Sequence, residues 1–286
     1  MRILVIGGTG VLGSRLCNYL KLQKIEYYFT SRKKLNFKRH RKLNLLNIKN
    51  IKNIIYSIKP TSIINCSGLT DTDLCNKNYK FAFMQNVKSV ENLIKVLKSL
   101  KFNSHLIHIS SDQIYFGKDI NRNTESDVKT SNNYSITKYL GEKEAMKYKY
   151  LTIIRTNFFG QSYSKKRPSF SEFLIKNLIN KKKIEIAKNI FFSPVGLTFL
   201  SNIIIKIIKK NLYGTYNLGS KDKISKYDFA LKIINYKKIK NQNISIFFSK
   251  YKKNLRPLNT ALSSKKIMKK LNIKCLRVNE MLKNEH

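Results

Sequence analysis

Tyr134 and Lys138 stand four residues apart in the stretch YSITKYLGE, residues 134–142. On a helix that spacing puts both side chains on one face. A phenol with a pKa near ~10 is a weak acid at neutral pH. A neighbouring ammonium and a cationic nicotinamide both lower that value. The phenol can then give a proton to a carbonyl oxygen while hydride reaches the carbon. A hydroxyl able to bind the same oxygen stands upstream in HISSDQIY, residues 108–115, where Ser111 is the first choice and Ser110 the second. With 16 tyrosines and 57 Lys and Arg in the chain, the pair means little without its surroundings.

Those surroundings are supplied by the N-terminus. GGTGVLG places Gly7, Gly10 and Gly13 directly after an apolar run and before a helical pattern. Glycines let the backbone turn tightly and approach a pyrophosphate, and the following helix presents free N–H groups and the positive end of its dipole. The strand–loop–helix context is what gives the motif weight. Thr9, Val11 and Leu12 complete the cradle. The second apolar run ends in FTSRKK, with Thr30, Ser31, Arg32 and Lys33 and no acid. A carboxylate there would repel a 2′-phosphate, whereas Arg32 can bind one bidentately, so the site is expected to prefer NADP(H).

The elements that must hold these residues follow from periodicity. RILVIG, IEYYFTS, TSIINCSG, SHLIHISSD and LTIIRTN read as strands, separated by helical patterns that include one long amphipathic helix from about Asp73 to Leu100. Strands alternating with helices at this spacing indicate parallel βαβ units, and continuous apolar runs suit strands buried on both faces. The expectation is an α/β protein with a Rossmann-like doubly wound parallel sheet and a smaller C-terminal substrate-binding lobe. Residues 1–158 would form the NADP(H)-binding core and residues 159–286 mainly the lobe, with some segments returning to the core.

The formal charge of +41 on 286 residues invites a nucleic-acid reading. The lysines are scattered, arginine is far rarer, and no aromatic–basic interleaving appears, so the charge reads as composition and no specific nucleic-acid partner is expected. The four cysteines, Cys17, Cys66, Cys75 and Cys275, have neither disulfide nor zinc spacing. They read as reduced thiols of a cytoplasmic protein. The N-terminal apolar run is too short for a signal peptide, and no stretch is long enough for a membrane span. His105 and His108 read as structural residues sharing one face of their strand; no metal site is expected. Tyr115 and Phe116 read as core or pocket wall.

In this order the motifs resemble an extended short-chain dehydrogenase/reductase, and more narrowly the dTDP-4-dehydrorhamnose reductase group. GGTGVLG, IINCSGLTDTDLC, QNVKSVENL, ISSDQIYFG, YSITKYLGE, IRTNFFG, FFSPVG and RPLNTALSSKKI carry the likeness over nearly the whole chain. The resemblance implies NADPH-dependent reduction of a 4-keto group on a nucleotide-activated 6-deoxysugar, for deoxysugar or polysaccharide biosynthesis. It implies cofactor contacts from Asn44, Leu45, Cys66, Ser67, Gly68, Asn86 and Ser110, and substrate contacts from Asp112, Gln113, Asn157, Phe158, Pro194 and Arg256. It leaves a homodimer open. Mg²⁺ at a dimer interface is reported for some relatives, but no acidic cluster in this chain matches it.

The chain departs from that pattern at Ser111, where threonine is common, at Gln113 for tyrosine, at Asn44 for aspartate and at Phe158 for tryptophan. Dehydratases of this fold carry Asp then Glu after the catalytic hydroxyl; here Gln113 follows Asp112, and an amide cannot serve as that base. A nucleotide-sugar epimerase and a non-catalytic NADP-binding regulatory subunit are the alternative readings. The first would hold NAD and return the hydride; the second would commonly lose the tyrosine or lysine.

Overall fold

The apolar runs lie side by side in the computed structural model, which describes residues 1–100, 103–116, 121–164, 168–240, 243–250 and 257–285. The chain opens with β1 (Arg2–Ile6), α1 (Val11–Leu22), β2 (Glu26–Ser31), β3 (His40–Lys42), α2 (Ile48–Ile58) and β4 (Ser62–Asn65). It continues through α3 (Thr72–Lys77), α4 (Tyr79–Phe83), a π turn over Met84–Lys88 and α5 (Ser89–Ser99) to β5 (His105–Ser111). A 3₁₀ turn over Asp112–Ile114, α6 (Asn133–Ala145) and β6 (Leu151–Thr156) follow. The later part gives β7 (Phe158–Phe159), α7 (Phe170–Ile179), β8 (Ile184–Ala187), β9 (Phe191–Phe192), β10 (Val195–Gly196), α8 (Leu197–Lys209), β11 (Gly214–Leu218), β12 (Ile224–Ser225), α9 (Lys226–Lys237), β13 (Ile244–Phe247), α10 (Lys265–Leu271) and α11 (Val278–Leu282).

The central sheet has seven strands in the order β11-β6-β5-β4-β1-β2-β3, and every neighbouring pair is parallel. This is the Rossmann-like doubly wound arrangement. Chain direction across the sheet reverses between β1 and β4, and a crevice opens there at the carboxyl ends of the strands. Every residue of β4, β5 and β6 is buried. Alternation sends Ile3, Val5, Ile107, Ile109 and Ile154 to the layer of α1 and α8, and Leu4, Ile6, Ile63, Leu106 and Ile153 to the layer of α2, α5 and α6. The lobe uses three two-stranded pieces, β10 with β7, β12 with β9 and β13 with β8.

The expected long helix over 73–100 is interrupted. Asn78 ends α3 at φ −136°, and its side chain accepts the Phe81 N–H at 2.9 Å, which starts a new helix. The π turn then shifts the helical phase before α5. Local side-chain capping competes with helix continuation, and periodicity alone does not register it. β3 forms inside the basic loop, because Phe29, Thr30 and Ser31 offer β2 as a template for His40, Arg41 and Lys42. Residues 214–218, beyond the expected core boundary, extend the central sheet by pairing with β6.

One close contact fixes where α6 sits. A Cβ added at Gly141 would lie 2.3 Å from the carbonyl oxygen of Asn86 in the π turn, so this helix approaches the turn backbone to backbone. Gly141→Ala is expected to cost about 1–3 kcal/mol by forcing the two apart. Thermal unfolding would register a melting temperature lower by several degrees; an unchanged melting temperature would contradict the contact.

Candidate active site

The carboxyl ends of β1, β2 and β4 open onto a cleft of about 480 Å³. Ten of the residues expected at a cofactor line it: Gly7, Thr9, Gly10, Ser31, Arg32, Asn44, Leu45, Cys66, Ser67 and Gly68. The glycine loop is the floor. Gly7 has φ +78°, a conformation costly for any residue with a Cβ. A Cβ at Gly13 would fall 2.2 Å from the Gly7 carbonyl oxygen, so only glycine lets α1 start this close to the loop. Gly10 caps α1 without a side-chain acceptor, which leaves the first-turn N–H groups for a ligand. Leu12 itself is buried in the core, so only its backbone can take part. The Arg32 guanidinium is exposed at the rim. The Ser31 hydroxyl is engaged, donating to the Lys33 carbonyl at 2.7 Å and meeting His40 Nε2 at 2.9 Å.

Leu69, Leu74, Phe81 and Gln85 also line this cleft and were not expected from sequence. Leu74, Phe81 and Gln85 lie on the segment read as one continuous helix, and Leu69 lies in the loop before it. Leu74 and Phe81, 40% and 38% exposed, are the signal that was there to find, two large apolar side chains beside a break at Asn78. Asn86 does not line the cleft. Its Oδ1 accepts the Leu69 N–H at 2.7 Å, and its Nδ2 donates to the Leu69 carbonyl at 3.1 Å and to Thr137 Oγ1 at 3.2 Å. It thereby ties the cleft wall to α6.

α6 begins with a capping box between Asn132 and Ser135. Tyr134 and Lys138 are both buried, Tyr134 against Leu69, Cys75 and Ala82. Lys138 Nζ donates to the Ile109 carbonyl at 3.0 Å. It also comes up beneath the cleft, 3.8 Å from where a Cβ on Gly68 would stand. Burial pushes the Lys138 ammonium down to about 8, opposed by Glu142 and by Cys66 and Cys75. The same burial pushes the Cys66 and Cys75 thiols up, Cys75 to about 11.

One turn beyond Lys138, Glu142 meets Arg155 of β6. The guanidinium donates from Nη2 to Oε2 at 2.7 Å and from Nε to both oxygens at 3.1 Å, with both side chains buried. Arg155 Nη1 also donates to the Tyr115 hydroxyl at 2.8 Å and to the Glu125 carbonyl at 2.7 Å. Tyr115 passes its own hydrogen to Asn217 Oδ1 of β11 at 2.7 Å, and burial pushes its phenol up.

On β5 the alternation separates the two serines. Ser110 faces the α6 layer, and its Oγ has no hydrogen-bond partner among the described residues. Ser111 points to the opposite face, where its Oγ accepts the Gln113 N–H at 3.1 Å. Asp112 is fully buried and accepts from Thr260 Oγ1 at 2.7 Å and from Asn157 Nδ2 at 3.0 Å; burial pushes its carboxyl up despite those bonds. Asp112 and Asn157 are therefore engaged with each other, and Thr260 joins them from far along the chain. Gln113 Oε1 is buried with no partner among the described residues. Phe158 and Val195 are paired in the β7–β10 piece, directly after Pro194. Arg256 lies outside the described residues.

His105 and His108 do not share a face. Three residues apart on a strand, they point to opposite sides: His105 to Thr152 Oγ1 at 2.8 Å, His108 to Asn65 Nδ2 at 3.3 Å. Among the described residues no group of three or more His, Cys, Asp or Glu gathers as a metal site, and no helix is long and apolar enough to cross a membrane.

The family model described as RmlD substrate binding domain matches residues 1–285. The spore coat polysaccharide biosynthesis protein SpsK of Bacillus subtilis (strain 168) is 25% identical over 269 residues, 93% of this chain and 90% of its own. A dTDP-4-dehydrorhamnose reductase of Aggregatibacter actinomycetemcomitans is 25% identical over 240 residues, 81% of this chain and 78% of its own. The crystal structure of dTDP-4-dehydrorhamnose reductase from Bacillus anthracis str. Ames, in complex with NADP, has the same fold: TM-score 0.86 at 23% identity, covering 99% of this chain and 98% of that one.

The buried ammonium has a stability consequence. Because the folded pKa of Lys138 lies below its ordinary 10.5, the unfolded chain holds the extra proton between about 8 and 10.5, and this group's contribution to stability rises with pH across that window. Below about pH 8 the charged, desolvated side chain is a net cost. Lys138→Met is expected to melt higher than the parent at pH 7, with the gap narrowing toward pH 10. A variant that melts lower at pH 7 would contradict a costly buried ammonium.

Proposed function

The chain belongs to the family described as RmlD substrate binding domain, and on that premise we propose that it reduces the 4-keto group of a nucleotide-activated 6-deoxysugar with NADPH. The observation that carries this reading is the placement of Lys138 directly beneath Gly68, where the glycine-floored cleft meets the Tyr134 helix. The residues present fit a dinucleotide phosphate. Gly7 to Leu12 offer backbone N–H groups and a helix dipole to the pyrophosphate. The exposed Arg32, with no carboxylate beside it in FTSRKK, suits a 2′-phosphate. The cofactor supplies the hydride.

The chain's own residues do the rest. Lys138 holds the ribose on the nicotinamide side and places positive charge beside Tyr134. Ser111 and Tyr134 bind the keto oxygen, and Tyr134 gives it a proton as its carbon is reduced. Gln113 presents a buried amide oxygen that calls for a donor, which suits a sugar hydroxyl. It cannot replace the carboxylate that dehydration requires. Asn157, Phe158, Pro194 and Arg256 would border the sugar nucleotide, with Asn157 and Asp112 acting as one hydrogen-bonded unit. The overall charge of +41 raises the local concentration of a diphosphate substrate. Product use in a surface polysaccharide agrees with the kind of relative that SpsK is.

The test is oxidation of NADPH and, separately, NADH, with dTDP-4-keto-6-deoxyglucose generated in situ, with and without an epimerase. Turnover with NADPH only after the epimerase is expected for a dehydrorhamnose-type reductase. Arg32→Ala is expected to raise the KM for NADPH about tenfold or more while leaving that for NADH unchanged, the loss of a charge-assisted pair worth ~1.5–3 kcal/mol. Equal effects on both cofactors would remove Arg32 from the 2′-phosphate site.

A further inference from the structure

Three buried polar atoms on β5 find no hydrogen-bond partner among the described residues, His105 Nδ1, His108 Nε2 and Ser110 Oγ, and the last two belong together. His108 and Ser110 are 1% and 5% exposed. They are two apart on a strand, so they point to the same face, roughly 7 Å from Cα to Cα. That face lies under α6. The residue between them is Ile109, whose carbonyl accepts from Lys138 Nζ. His108, Ser110 and Lys138 therefore lie together beneath α6, where a water-sized polar chamber between them would satisfy all three.

The hydrogens of that chamber can be assigned from the network. Ser67 donates to Asn65 Oδ1 twice, from its N–H at 3.1 Å and from its Oγ at 2.5 Å. The Asn65 amide oxygen is thus the acceptor, and Nδ2 must donate to His108 Nδ1 at 3.3 Å. Burial and the nearby Lys138 charge hold the imidazole neutral. A neutral imidazole that accepts at Nδ1 carries its hydrogen on Nε2, so Nε2–H is a buried donor in need of an acceptor. Leaving it unsatisfied would carry the desolvation penalty of a buried donor. Buried waters commonly fill such places, typically with about three hydrogen bonds.

We propose that one ordered water sits beneath Lys138, accepting from His108 Nε2–H and from the Lys138 ammonium and donating to Ser110 Oγ. His108 is then a positioning residue: it holds the water that solvates the catalytic lysine from below. The other charged and titratable groups facing Lys138 do little of that work. Glu142, on the same helix, is committed to Arg155, and Cys66 and Cys75 stay as neutral thiols because burial raises them. Without the water, the ammonium should lose its proton at lower pH. The chain Ser67–Asn65–His108 also couples this chamber to the cofactor cleft, which Ser67 lines.

A high-resolution crystal structure of the full chain tests the water directly. Density within about 2.7–3.2 Å of His108 Nε2, Ser110 Oγ and Lys138 Nζ is the expected result. A dry chamber, or His108 Nε2 bonded to a protein acceptor, overturns the proposal. The kinetic arm rests on the reductase reading. His108→Leu should move the alkaline limb of kcat down by about one pH unit with the KM for NADPH unchanged, and His108→Gln should recover part of the shift. If His108→Leu fails to fold, Ser110→Ala should move the limb in the same direction by less. An unshifted limb in both overturns the role assigned to His108. A chain that holds the water yet reduces no keto sugar would sink the reductase reading and leave the water site standing.

Discussion

The site depends on the ion pair between Glu142 and Arg155. α6 carries Tyr134 and Lys138 but shows no broad apolar face to press against the sheet, because much of its inner surface is polar. Glu142 supplies the attachment. Its carboxylate takes three guanidinium hydrogen bonds from β6, and the same guanidinium reaches Tyr115 and, through it, Asn217 on β11. Two buried charges gain little over water unless the geometry is good and the remaining donors are satisfied. Here a forked pair and a continuing network meet both conditions, and removing one partner alone would leave the other charge stranded. Gly141 adds the steric half of the constraint, letting the helix touch the π turn at Asn86. Together they set the height of Lys138 above Ile109.

That placement creates an electrostatic tension which the chemistry can use. A lysine fully out of water prefers to be neutral, yet a proton-donating tyrosine needs a cation beside it. Burial pulls Lys138 down only to about 8, so it remains largely charged at neutral pH. The Ile109 carbonyl meets one of its hydrogens. A diphosphate ligand would favour the charged form further, against the opposing pull of a basic surface. The stability given up at Lys138 is recovered across two apolar layers either side of a parallel sheet, where the long β4, β5 and β6 runs are wholly buried.

The central sheet was legible because buried parallel strands leave continuous apolar runs, and the glycine loop was legible because its spacing is set by backbone contacts local in sequence. Tyr134 and Lys138 are likewise a local pattern. What could not be read is non-local. Nothing about Thr260 in RPLNTALSSKKI announces that its hydroxyl will meet Asp112, 148 residues earlier. The break at Asn78 and the π turn hid Leu74, Phe81 and Gln85, because a cap and a phase shift defeat a periodicity argument over 73–100. β3 was hidden for a related reason: a short basic edge strand borrows its conformation from β2 and carries no apolar run of its own. The histidines show the limit of quick pattern reading, since a spacing of three on a strand divides the faces and leaves His108, not His105, beside Lys138.

The most direct test of the account follows the hydride. NADPH deuterated at C4 of the nicotinamide, on the transferred side, would be consumed with the keto sugar by the parent chain and by Tyr134→Phe, and the product analysed by mass and NMR. Net reduction by the Tyr134–Lys138–Ser111 site predicts one deuterium at C4 of the sugar per NADPH oxidised, and a rate at least about a hundredfold lower without the phenol. Turnover of the sugar with no deuterium gained and no NADPH consumed, or full-rate transfer by Tyr134→Phe, would contradict it.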